Sequence, residues 1–225
     1  MLATKFGHDM GDGVKARGAP EYVRRAVEAS LRRLRTDCVD LLYYHAPDGV
    51  TPIAETVGAM AELVQAGKTR AIGVSGFGVE QLDEAARTAE IAALQNEYSL
   101  LVRDAERDVL PRCLELGVGF VPFYPLARGL LTGKYRRGER PPEGTRLAEM
   151  PEELTDAAFD VVERLEDFAR IRGRTLLELA IAGLASRPGI ASVIAGATSA
   201  EQVRANAAAG EWRLTEEELT ALAAV

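Results

Sequence analysis

The feature that constrains this chain most is an alternation. Short runs that are apolar from end to end, each long enough for one strand, are separated repeatedly by amphipathic helical stretches. A strand apolar at every position is covered on both faces, and helices between such strands act as parallel crossovers. The pattern therefore calls for an α/β fold built on a parallel sheet. After an opening strand within "MLATKFG", the stretch "GAPEYVRRAVEASLRRLR" places Val23, Ala26, Val27, Ser30, Leu31 and Leu34 on one helical face, with Pro20 near its first turn. The strands "VDLLYY", "RAIGVSG", "IAALQNE", "GFVPFYP" and "ASVIAG" follow in turn. Between them lie helices over "TPIAETVGAMAELVQAG", with Thr51 as N-cap, "VEQLDEAART" and "RDAERDVLPRCLELG". A 24-residue loop from Arg128 to Pro151 precedes two helices near 157–172 and 176–187, and helices over "SAEQVRANAAAG" and "TEEELTALAAV" close the chain.

That count is six βα units, against the eight units and about 250 residues of a closed barrel. A six-stranded doubly wound sheet competes with the barrel at this point. No Pro/Gly/Ser-rich linker divides the 225 residues, so residues 1–225 are expected to form one domain. A net charge of −7 speaks against a nucleic-acid binder, whose surface would be basic. Two cysteines, Cys38 and Cys113, are too few for a disulfide scaffold or a zinc site, and no metal site is expected. With no signal peptide and no run of about 20 apolar residues, the expectation is a cytoplasmic protein without membrane attachment.

Position is more informative than composition. Lys5, His45, Ser75, Gln95, Tyr124 and Thr198 each fall at or just past the C-terminal end of an expected strand, the face on which parallel barrels build active sites. Each has a structural alternative when taken singly: a surface lysine, a core histidine, an N-capping threonine. "GVSGFG" lacks the order of a Rossmann fingerprint. Gln95 and Asn96 end a buried strand, where amides need partners, and a ligand amide is one candidate. The Gly-Ala-Thr-Ser run of 196–199 enters a helix, which suits either an anion or plain capping.

Read in order, "LATKFG", "DLLYYHAPD", "AIGVSGF", "LQNEYSLLVR", "PFYPLARGLLTGKY" and "VIAGATSAEQVRAN" resemble successive motifs of the aldo-keto reductase family, from Met1 to about Gly210. The resemblance implies a (β/α)8 barrel that binds NADP(H) without a Rossmann fold and reduces aldehydes or ketones, a small carbonyl compound being the substrate. The pattern is also similar to the cytoplasmic β subunits of potassium channels, which implies, as the second reading, a non-catalytic NADP(H)-binding or regulatory protein. By resemblance, Lys5 lowers the pKa of a proton-donating tyrosine and His45 orients the substrate carbonyl. Ser75 and Gln95 hydrogen-bond the nicotinamide carboxamide, and Phe123 stacks on its ring. Tyr124 stands where the family often has Ser. Leu126, Arg128 and Lys134 line the pyrophosphate, Arg146 meets the 2′-phosphate, and Gly196, Thr198, Gln202 and Asn206 hold the adenosine end. Gly76 replaces the usual Asn after Ser75.

The same resemblance makes "MLATKFG" the third barrel strand, so that the chain reads as N-terminally truncated. The family's catalytic Tyr and the Asp paired with its lysine then lie on segments before Lys5. Tyr43, two residues before His45 on the same side of its strand, and Tyr124 are the phenols able to point toward the site, with core or rim packing of an aromatic as the alternative. A closed barrel short of two units would expose strand edges and an apolar interior. The expectation is instability as a lone barrel, or a homo-oligomer that covers those edges.

Overall fold

The computed structural model describes all 225 residues. Five strands form one sheet in the order β1-β2-β3-β4-β5: β1 Ala3–Phe6, β2 Val39–Tyr44, β3 Thr69–Ser75, β4 Ala93–Glu97 and β5 Gly119–Phe123. The pairings of β1 with β2, β2 with β3 and β3 with β4 are parallel. A doubly wound sheet reverses its strand order at a switch point. Here each strand pairs with its successor throughout, as in a barrel, and the doubly wound alternative is set aside. The α/β class and the parallel sheet stand as expected.

The backbone divides into two compact units, Met1–Asn96 with Asp108–Phe120, and Glu97–Arg107 with Val121–Val225. In the first, helix α1 (Pro20–Leu34) buries Val23, Val27, Ser30 and Leu31, a spacing that keeps one stripe against the sheet. Helices α2 (Ile53–Gln65), α3 (Val79–Thr88) and α4 (Val109–Leu116) complete this unit. Alternate residues of the strands point outward beneath the helices, where Phe6 and Tyr44 stack at 5.2 Å between ring centroids and Tyr44 meets Phe77 edge-on. Cys113 is fully buried on α4, and loss of solvent pushes its thiol up to about 12. Cys38 is partly exposed. Titration of the native protein with a disulfide reagent at pH 8 is therefore expected to release about one thiol equivalent quickly and the second only in denaturant. Two fast equivalents would contradict this packing.

In the second unit, α5 (Asp156–Ile171) and α6 (Leu176–Ala185) carry half of the buried apolar side chains, and α7 (Ala200–Ala209) and α8 (Glu216–Ala223) follow. Capping boxes of Thr175 with Glu178 and of Thr215 with Glu218 start α6 and α8. Glu106 anchors this unit, accepting from the Tyr98 hydroxyl at 2.6 Å and from Arg103 at 3.0 Å, with Arg187 at 3.3 Å. Burial alone would raise its pKa, but the hydrogen bonds from Arg103 and Tyr98 and the Arg187 charge outweigh it and hold the carboxyl below its ordinary value. No helix is long and apolar enough to cross a membrane.

Three expectations need correction. Thr51 does not cap α2; Pro52 occupies that position, and Thr51 donates its N–H and its hydroxyl to Asp48 at 2.8 and 2.9 Å. The stretch 103–117 is not one helix but a 3₁₀ turn, Asp104–Glu106, and then α4, capped by Asp108. Pro111 has no N–H to bond back to Arg107, so the α-helix can begin only close to it. Finally, "ASVIAG" is not a strand, which leaves five strands and not six. Residues 191–197 carry no regular structure, and Ile194 makes one backbone bond to the Pro122 carbonyl, at 3.3 Å. Residue 122 would send its N–H toward the same neighbour as its C=O, and a proline has none to send, so the ladder stops after one rung.

Candidate active site

Strand pairing sets Lys5 beside Tyr43, Tyr43 beside Gly73 and Gly73 beside Ala93. Ser75 lies beside Gln95 one pleat further on, and His45, two residues past Tyr43, joins that second row. Two adjacent rows on one face of the sheet thus carry Lys5, Tyr43, His45, Ser75 and Gln95. Lys5 and Gln95 are three strand steps apart, about 14 Å on a flat sheet. The Lys5 ammonium nevertheless donates to Gln95 Oε1, so this face is strongly concave.

Gly73 makes that contact feasible. A Cβ there would lie 2.6 Å from Cε1 of Tyr43 and 2.7 Å from the Ala93 carbonyl oxygen. With hydrogen in its place, the Tyr43 ring lies across β3, its phenol hydrogen-bonded by the Gln95 amide, with Lys5 Nζ 5.9 Å from the ring centroid. Burial lowers the Lys5 pKa and raises that of Tyr43, the Gln95 hydrogen bond opposing the latter. The Tyr43 phenol therefore holds its proton firmly, and the lysine is paired with a neutral amide.

His45 follows β2 directly. Burial first, then the Lys5 charge and His8, lower its pKa, so the ring favours the neutral form. The loop beyond it is fastened by Asp48, which accepts from the N–H groups of Gly18, Val50 and Thr51 at 2.7, 2.9 and 2.8 Å. Asn96, the other amide at the end of β4, is satisfied by backbone. Its Oδ1 accepts from Gly76 N–H at 2.8 Å and its Nδ2 donates to the Phe77 carbonyl at 2.9 Å, pinning a turn in which Gly76 has φ +70°. The left-handed angle suits Gly at this position.

The remaining candidates lie in the second unit. Phe123 and Tyr124 meet edge to face at 5.2 Å. Tyr124, Ala127, Arg128 and Gly129 all have positive φ, a strained turn in which the Leu126 carbonyl accepts from Gly129 and Leu131. The guanidinium carbons of Arg128 and Arg146 lie 5.1 and 5.6 Å from the Tyr124 ring centroid. Arg128 is paired with Glu153 at 2.9 Å, whereas Arg146 is exposed on the ring. The Lys134 ammonium folds back to within 3.3 Å of where a Gly129 Cβ would be. Guanidinium groups, an ammonium and turn N–H groups form a donor set that fits phosphate. At the far end, Thr198 donates from its N–H and hydroxyl to Gln202 Oε1 at 2.7 and 3.1 Å, and Asn206 Nδ2 reaches the Gly196 carbonyl at 3.4 Å. Ser199 caps α7, so these four residues are engaged with one another and with the capping turn.

The family model of the aldo/keto reductases matches residues 1–225. The chain belongs to the aldo/keto reductase family. It is 36% identical over 225 residues to a probable aldo-keto reductase 1 of Glycine max, covering 97% of this chain and 64% of that protein. It is 38% identical over 228 residues to the aldo-keto reductase str7 of Strobilurus tenacellus, covering 99% and 67% respectively. The structure is similar to that of the glycerol dehydrogenase AKR11B4 from Gluconobacter oxydans, with a TM-score of 0.86 and 32% identity over 99% of this chain and 70% of that one. The chain thus spans about two thirds of the length of these aldo/keto reductases. Reading the sequence did not bring out His8, Gly73, Asp48 or Glu153. His8, three residues after Lys5 and one of only two histidines, was the available signal.

Proposed function

We propose that this chain carries the carbonyl-reducing site of an NADP(H)-dependent aldo/keto reductase acting on small aldehydes or ketones in the cytoplasm. The observation that supports this most is the gathering of Lys5, His45, Ser75 and Gln95 on one concave face, in a chain of this family. A bound reduced nicotinamide nucleotide supplies the hydride. Ser75 and Gln95, both 3% exposed, would offer their hydroxyl and amide to its carboxamide, with Phe123 beside the ring. Leu126, Arg128, Lys134 and Arg146 would hold the phosphates, and Gly196, Thr198, Gln202 and Asn206 the adenosine. In its neutral form His45 can donate N–H to a carbonyl oxygen and orient it. As that oxygen gains negative charge, the Lys5 ammonium stabilises it and supplies the proton at hand, while His45 keeps its hydrogen bond to the oxygen. The likeness to a glycerol dehydrogenase adds the reverse oxidation of a small alcohol as a reaction to measure.

Binding and turnover separate the two readings. NADPH is expected to quench Trp212 or tyrosine fluorescence and to be oxidised when a short aldehyde is added. Quenching without turnover would favour the regulatory reading, and neither effect would defeat both. Arg146→Ala is expected to weaken NADPH binding about 10- to 100-fold, the worth of one charge-assisted contact to a phosphate. NADH binding should scarcely change. Equal losses for both nucleotides would remove Arg146 from the 2′-phosphate.

A further inference from the structure

The chain has two histidines, and the fold stacks them. The rings of His8 and His45 lie with centroids 4.6 Å apart and planes 23° from parallel. His8 stands on the loop after β1, at an exposed position, and Gly7 before it has φ +90°. A Cβ on Gly7 would lie 2.8 Å from the Tyr44 ring, so the chain turns tightly over β2 and delivers His8 onto the residue that follows Tyr44. We propose that His8 positions His45: its stacked ring fixes the plane of the His45 imidazole and makes a second proton on the pair unfavourable, so that His45 meets a carbonyl as an uncharged N–H donor. This rests on the reductase reading for the identity of the substrate, but the pairing of the rings does not.

The surrounding charges are consistent with such a pair. From β1, the Lys5 ammonium acts on His45 in the same direction as His8. Of the carboxylates on the His8 loop, Asp9 and Asp12 are turned to Arg17. Asp48, past His45, is turned to the N–H groups of Gly18, Val50 and Thr51. From β2 comes the Tyr43 phenol and from β4 the Gln95 and Asn96 amides, none of which carries charge near neutral pH. His45 therefore sits among positive neighbours, and a charge on the stacked ring is felt at close range.

Two histidines make the test direct, since an NMR spectrum shows two imidazole Hε1 resonances and His8→Ala assigns them. The His45 titration midpoint is expected to rise in His8→Ala by about half a pH unit or more, the repulsion of unit charges at that separation in a water-like medium. His8→Phe, which keeps the stack and removes the charge, should raise it likewise. In turnover, the acid limb of kcat/KM should move to higher pH in both variants, while the KM for aldehyde should rise in His8→Ala and be restored in His8→Phe. An unmoved His45 midpoint, or a His8→Phe variant no better than His8→Ala in KM, would overturn the proposal. The titration needs neither nucleotide nor aldehyde. A wild-type protein without turnover would count against the reductase reading, and the pairing would still be decided by the midpoint.

Discussion

Gly73→Ala is expected to lower the thermal midpoint by about 6–12 °C, the equivalent of about 3 kcal/mol for a chain of this size. The new methyl would sit 2.6 Å from the Tyr43 ring and 2.7 Å from the Ala93 carbonyl oxygen. The ring can swing away only by giving up its place between Lys5 and Gln95, and the carbonyl belongs to the adjoining strand and cannot move without opening the sheet. The loss should therefore appear both in stability and in turnover. Gly58→Ala is the control: it lies within α2, with nothing within 4 Å of its added methyl. In a helix that change is stabilising by up to about 1 kcal/mol. Circular dichroism melts of the two variants decide the matter, and a Gly73→Ala midpoint at or above that of wild type would show that the ring does not lie where the structure puts it.

Lys5→Met should reduce NADPH-dependent aldehyde turnover by about 10²–10⁴-fold, the range for loss of a positioned proton or charge at the reacting centre. NADPH affinity should stay within a few-fold of wild type, because the groups proposed to hold its phosphates are elsewhere in the chain. Stability should move the other way. Lys5 is partly withdrawn from water and paired to a neutral amide, so its pKa is lowered in the folded protein. The unfolded chain then binds more protons than the folded one between the folded and unfolded pKa values. Wild type gains stability as the pH rises through that alkaline window, whereas Lys5→Met does not. Denaturant titrations at neutral and alkaline pH should show Lys5→Met as the more stable protein at neutral pH and its advantage shrinking toward high pH. A constant difference would mean that the ammonium is not desolvated, and a variant with undiminished turnover would remove Lys5 from the chemistry.

Much of this arrangement is written locally. "VDLLYY" and "VEQLDEAART" coincide with β2 and α3, because uniform apolarity and one-sided apolarity are properties of a short window. The errors arose where a distant partner or a single backbone group overrules the window. Thr51 has the chemistry of a cap, but Asp48 claims both its donors. "ASVIAG" has strand composition, but Pro122 across from it cannot return a hydrogen bond.

The site divides along the same line. Side-chain alternation along each strand and the parallel order of the strands suffice to put Lys5, His45, Ser75 and Gln95 on a common face, since both follow from periodicity and the family pattern. That Lys5 reaches Gln95 across three strands, that Tyr43 occupies the gap left by Gly73, and that His8 covers His45 depend on the curvature of the sheet and the turn at Gly7. Those are distances between residues far apart along the chain, and only the packed fold sets them.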